Sequence, residues 1–239
     1  MAKAVDFIFD FGSPNAYLSW KVLPGMAART GATINLIPCL LGGIFKATGN
    51  QSPMTAFSGV AGKLEYEALE TRRFVAAHGL TAFRRNPHFP VNTLLVMRGL
   101  LAAKRLGVDE PYIAAVASAI WEQELKMDDP QVVADVLTGA GLDAHRILEA
   151  TQDPEVKAEL VANTEAAVAR GVFGIPTFFV RPRDVLRQRQ TARGRGGAGE
   201  NLIGRARACP SWGSARIHRS CGGEMAVDVA WSRRSRWPG

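Results

Sequence analysis

Two short segments carry the residue types from which a reactive centre is most readily built. At the first, Gly12-Ser13-Pro14 interrupts an alternating run, V-D-F-I-F-D-F over Val5 to Phe11, and Ala16, Tyr17, Trp20 and Leu23 follow at helical spacing. Pro14 suits a first helical turn, where its missing N–H costs nothing, so Ser13 falls at or beside the helix N-cap. A helix N-terminus carries partial positive charge and unpaired N–H groups, so a hydroxyl there sits where an anion is stabilised. At the second, Ile175-Pro176 precedes T-F-F-V, an apolar run over Thr177 to Val180. A Ser-Pro ahead of a helix is usually only a cap, and an Ile-Pro is usually only a turn. Their conjunction is what raises the question of chemistry.

Thiol–disulfide exchange by the protein itself is excluded at this turn, which reads Ser13-Pro14-Asn15-Ala16 and holds no cysteine. The chain has no C-x-x-C. Cys39 lies in an apolar segment and reads as a small buried apolar residue, while Cys209 and Cys221 lie near the C-terminus. Their spacing fits neither a disulfide framework nor a zinc site, so no metal is expected.

The elements that must hold these segments follow from periodicity. Val5 to Phe11 reads as a strand, residues after Pro14 as a helix, and Thr33 to Leu40 as a second strand after the Gly31 break. Helical periods then dominate. Leu64, Leu69, Phe74 and Val75 mark one helix, and four more are expected at Thr93 to Leu106, Tyr112 to Leu125, Pro130 to Leu137 and Val156 to Ala169. Arg84 to Pro90 separates the first two as a loop, since two prolines within four residues forbid a helix there. Gly171 to Val180 returns to strand character.

Composition bounds the function class. The 239 residues have a net charge of +7, but residues 1 to 180 hold 16 basic against 18 acidic side chains. Residues 181 to 239 hold 13 basic against 4 acidic, and all 13 are arginine. The basic character therefore belongs to the tail alone. No apolar run reaches the roughly 18 to 20 residues of a membrane span, and the N-terminus leads directly into a strand, so a cytoplasmic protein without membrane association is expected.

Four blocks carry a family resemblance: F-D-F-G-S-P-N-A-Y-L at Phe9 to Leu18, L-G-G-I-F-K-A-T-G-N at Leu41 to Asn50, R-N-P-H-F-P-V-N-T-L at Arg85 to Leu94, and G-V-F-G-I-P-T-F at Gly171 to Phe178. They resemble the 2-hydroxychromene-2-carboxylate isomerases and the kappa-class glutathione transferases, in the DsbA-like branch of the thioredoxin superfamily. The resemblance covers residues 4 to 180. It implies an α/β thioredoxin-like fold, residues 1–45 and 152–180, with an all-helical insertion domain over 46–151.

It also implies glutathione as cofactor, with Ser13 donating a hydrogen bond to the glutathione thiolate. That thiolate, rather than the serine, would attack an unsaturated carbon of an aromatic 2-oxo acid or its cyclic hemiketal, allow rotation and depart. By resemblance Ile175-Pro176 is a cis-proline turn that faces the Ser13 turn and pairs with the cysteinyl part of glutathione. Asn50 matches a position reaching glutathione or substrate, and Lys46 one facing a substrate carboxylate. His88, Phe89 and Asn92 lie in the loop bordering the substrate pocket, although Asn92 is also a good N-cap and Phe89 a good core residue. Relatives are often homodimers. A kappa-like transferase or peroxidase is the alternative activity.

The tail, residues 181–239, departs from the family pattern. After Val180 the resemblance calls for another strand, a Gly-x-Asp-Arg segment and a final helix, but neither period 2 nor period 3.6 persists through R-P-R-D-V-L-R-Q-R-Q. Codons exist for which a one-base shift turns Arg183 to Thr191 into Glu-Met-Phe-Phe-Gly-Lys-Asp-Arg-Leu, so a frameshift is one reading. The other is an Arg/Gly-rich disordered extension. Such a segment would bind nucleic acid by neutralising phosphates, and the protein would then be a non-catalytic binding module.

Overall fold

The computed structural model describes residues 4–181, 216–219 and 225–228. β1 (Ala4–Phe9) and β2 (Thr33–Pro38) run parallel, joined by α1 (Pro14–Thr30), the kind of crossover that a parallel pair requires. β3 (Thr177–Arg181) lies antiparallel on the other side of β1, with Phe7 opposite Phe178 and Ile8 opposite Thr177.

The sheet does not end there. β4 (Arg216–Arg219) and β5 (Met225–Asp228) extend it, giving the order β2-β1-β3-β5-β4, with β5 antiparallel on β3. The sequence pattern held no strand after residue 180, because four-residue stretches such as R-I-H-R and M-A-V-D are too short to register a period. Cys209, Cys221, the Arg/Gly-rich stretch and the Arg183 to Thr191 segment of the frameshift reading lie outside the described residues.

Between β2 and β3 come α2 (Leu41–Thr48), α3 (Pro53–Ala56), α4 (Lys63–His78), α5 (Leu94–Leu106), α6 (Asp109–Trp121), α7 (Pro130–Gly139), α8 (Ala144–Ala150) and α9 (Pro154–Ala169). The boundary at 45/46 falls inside α2, and the one at 152 in the turn before α9. The sequence reading held no helix at α2, α3 or α8, and α6 differs from it in its bounds. α2 opens on Leu41-Gly42-Gly43, which propensity disfavours. α6 stops at Trp121 rather than Leu125, since the Trp121 carbonyl accepts from the Arg84 N–H at 2.6 Å and the Leu125 N–H turns back to Ala119.

Alternation along β1 divides the core. Phe7 and Phe9 point into one large cluster with Tyr17, Met97, Leu100, Trp121, Leu137 and Leu160, so the inserted helices share a core with the sheet. Ile8 points the other way, to Cys39, Ile44, Ala167, Val172 and Phe179. Among the described residues no helix is long and apolar enough to cross a membrane.

Candidate active site

The turn between β1 and α1 forms as its sequence dictates. Ser13 adopts an extended conformation (φ −98°, ψ 114°), Pro14 opens the helix, and the Ser13 hydroxyl accepts from the Ala16 N–H at 3.2 Å. No acidic side chain occupies the first turn of α1, so the positive end of its dipole is not neutralised there.

Ser13 does more than cap. Its hydroxyl donates to the Ile175 carbonyl at 2.8 Å, spanning 162 residues of sequence, and Ser13 is itself buried. The Ile175–Pro176 peptide is cis. On the other side, Asn50 Nδ2 donates to the Phe173 carbonyl at 2.8 Å. The turn before β3 is thus bonded by both Ser13 and Asn50, and these two come together with Ile175 and Pro176. Asn50 follows the Gly49 cap of α2, one helical turn beyond Lys46, whose ammonium is exposed.

The loop from Arg84 to Asn92 is built on Asn86, which is buried and donates to the Ile120 and Leu125 carbonyls, both at 2.9 Å, while accepting from the His88 N–H. His88 is exposed. Phe89 is half-buried and lies against Trp121, ring centroids 6.0 Å apart, as its apolar character allowed. Asn92 Oδ1 accepts from the Leu94 N–H at 3.1 Å, so its side chain helps to cap α5. Among the described residues, no hydrogen bond joins these three to Ser13.

Asp10 carried no assignment from sequence, yet it lies at the root of this region. Its carboxylate is wholly buried and accepts from the Gly12 N–H at 2.8 Å and the Leu41 N–H at 2.7 Å, with the Thr93 hydroxyl beside it. Burial pushes its carboxyl above the ordinary range, against the lowering pull of those two N–H groups and of the Thr93 hydroxyl. An aspartate inside an apolar strand pattern was the available signal. Cys39 is buried as expected, and burial, then the Asp10 carboxylate, push its thiol up to about 12 against a lowering pull from Arg170. It is no nucleophile.

Comparison with known proteins fits this geometry. A 2-hydroxychromene-2-carboxylate isomerase from Sphingobium xenophagum is 29% identical over 182 residues, covering 75% of this chain and 90% of its own. Glutathione S-transferase kappa 1 of Homo sapiens is 28% identical over 194 residues, covering 74% and 80%. A solved structure of a 2-hydroxychromene-2-carboxylate isomerase superposes with a TM-score of 0.63 at 27% identity, covering 74% of this chain and 84% of that one. The model of the DSBA-like thioredoxin domain matches residues 4–193, past Val180 and into the segment where the pattern had broken down. By that match, the chain belongs to the DSBA-like thioredoxin domain family.

Proposed function

We propose that the protein is a glutathione-dependent isomerase of 2-hydroxychromene-2-carboxylate-type aromatic intermediates, with Ser13 holding and polarising the glutathione sulfur. The observation that carries this reading is the Ser13 hydroxyl at the N-terminus of α1, bonded across to the carbonyl of Ile175 at 2.8 Å. Similarity to two isomerase and transferase relatives supports the reaction class.

The residues present suit glutathione. An un-neutralised helix N-terminus and a hydroxyl favour an anionic sulfur, and the Ile175 backbone lies beside them. When bound, glutathione supplies a thiolate nucleophile that adds to an unsaturated carbon and leaves after rotation. Ser13 has one proton, engaged by the Ile175 carbonyl. A hydrogen bond to an ionised acceptor is about twice as strong as a neutral one, so that proton transfers its bond to a thiolate. The Ile175 carbonyl is then free to accept from the ligand's peptide N–H. Lys46 supplies a cation for the substrate carboxylate, and Asn50 a polar contact beside it. Phe89, His88 and Asn92 border the aromatic ring. A cytoplasmic homodimer goes with this reading by resemblance.

The test is to incubate the full chain with 2-hydroxychromene-2-carboxylate, with and without glutathione, and follow the absorbance of the open-chain product. Isomerisation that needs glutathione is expected; a rate independent of glutathione, or none at any concentration, rejects the reading. Similarity to the human kappa transferase favours one alternative, in which the same thiolate attacks an electrophile and the conjugate leaves. Conjugation of a chlorodinitrobenzene-type substrate without isomerisation would select it.

A further inference from the structure

At two helix starts near Ser13 the N-cap residue's own side chain makes no cap bond, and one buried carboxylate lies beside both. α2 begins after Leu40, which has no side chain able to cap, and opens on two glycines. α5 begins after Thr93, a good capping residue whose hydroxyl nevertheless makes no cap bond. Asp10, just past the end of β1, accepts from the Leu41 N–H at 2.7 Å and has the Thr93 hydroxyl beside it. The Leu41 bond is an N-cap supplied by a residue 31 positions away. The Thr93 hydroxyl stands beside the same carboxylate, and the Leu94 N–H of α5 is bonded by Asn92 instead.

The same carboxylate sets the third element. Oδ1 accepts from the Gly12 N–H at 2.8 Å, and the Asp10 carbonyl accepts from the Ser13 N–H at 3.2 Å, which folds the turn that presents the Ser13 hydroxyl. Gly12 leaves the space this needs: a Cβ there would meet Thr93 Cγ2 at 3.2 Å. Asp10 thus meets the Ser13 turn, the start of the helix bearing Lys46, and the end of the loop bearing His88, Phe89 and Asn92. Its burial takes it out of reach of solvent, so these contacts are its role.

We infer that Asp10 is a positioning residue that couples these three segments, setting Ser13 relative to α2 and the 85–93 loop. It touches neither substrate nor cofactor. The inference rests on the proposed site only for its catalytic consequence, since the coupling is a property of the protein without ligand.

The experiment is NMR-detected amide exchange on the full chain without glutathione, comparing wild type with Asp10→Asn and Thr93→Val. Asn keeps the shape but turns one acceptor into a donor facing an N–H. Exchange of the Gly12 and Leu41 amides should rise roughly ten- to hundredfold in Asp10→Asn, with α6 and α7 unchanged. Unchanged exchange at Leu41, or a uniform rise across every helix, overturns the inference. Thr93→Val decides the matter should Asp10→Asn not fold. It should loosen Leu41 and Gly12 as well as α5, whereas loosening confined to residues 92–98 overturns the coupling. Thr93→Ser, which keeps the hydroxyl, should restore protection.

In the isomerase assay Asp10→Asn should lower kcat and raise KM together, because Ser13 and Lys46 both move. A wild type without glutathione dependence but with coupled exchange would sink the proposed function and leave Asp10 standing. Glutathione-dependent turnover with uncoupled exchange would do the reverse.

Discussion

Replacing Ser13 by alanine removes two hydrogen bonds, and the second is invisible in the sequence. Losing the cap to Ala16 costs about 0.5–2 kcal/mol. The Ile175 carbonyl also loses its Ser13 donor. Because Ile175 is only half-buried and water can reach it, this adds about 1 kcal/mol, near the low end for an orphaned acceptor. Urea unfolding should therefore show Ser13→Ala destabilised by roughly 1–3 kcal/mol but folded. Turnover should suffer separately. A hydrogen bond to a charged group contributes about 1.5–3 kcal/mol, so kcat should fall roughly ten- to hundredfold while KM for glutathione changes little. Ser13→Cys keeps the position with a poorer donor and should be intermediate, or trap glutathione as a mixed disulfide. The reasoning fails if Ser13→Ala keeps wild-type kcat, or if its whole loss appears in glutathione KM.

Lys46→Ala should raise KM for the carboxylate substrate roughly fivefold and leave glutathione affinity unchanged, as measured by initial rates, because an exposed cation contributes about 1 kcal/mol at most. Gly99→Ala should destabilise the protein by about 1–3 kcal/mol in urea titration. Its Cβ would collide with the buried Tyr112 ring, whose hydroxyl is held by the Val96 carbonyl. Glu122 is opposed by burial, but bonds from Lys21 (2.7 Å), Tyr17 (2.6 Å) and Ser118 (2.8 Å) outweigh it and hold the carboxyl below its ordinary value. The stability it contributes is present above the unfolded carboxylate pKa and is lost as pH falls through the lower folded value. Glu122→Gln should flatten that acid-side decline in stability against pH.

What the sequence made legible was local. The β1 alternation, the Ser13-Pro14 start of α1 and the Ile175-Pro176 turn each follow from neighbours a few residues apart, and all three stand where expected. Ser13 and Ile175 meet as the family resemblance implied, but the bond between them joins positions 162 residues apart, so no local pattern announces it. α2 was hidden because its cap comes from Asp10 rather than from Leu40, and local rules see only two glycines. Asp10 itself read as the polar half of a strand alternation, whereas it is fully buried and bonded by the Gly12 and Leu41 N–H groups. β4 and β5 were missed for the same reason: a short strand is defined by its partner, and the partner of β5 is β3. Asn92 and Phe89 had two readings each in the sequence, and their observed contacts are a capping bond and a packing contact.

The most direct test is an ultraviolet titration of the glutathione thiolate bound to the wild-type chain. A thiol bonded by Ser13 at the N-terminus of α1 should ionise about one to two units below the roughly 8.5 of a free cysteine thiol, and move back toward that value in Ser13→Ala. A bound thiol that titrates at or above the free value, or one whose midpoint is the same in Ser13→Ala as in wild type, contradicts the account.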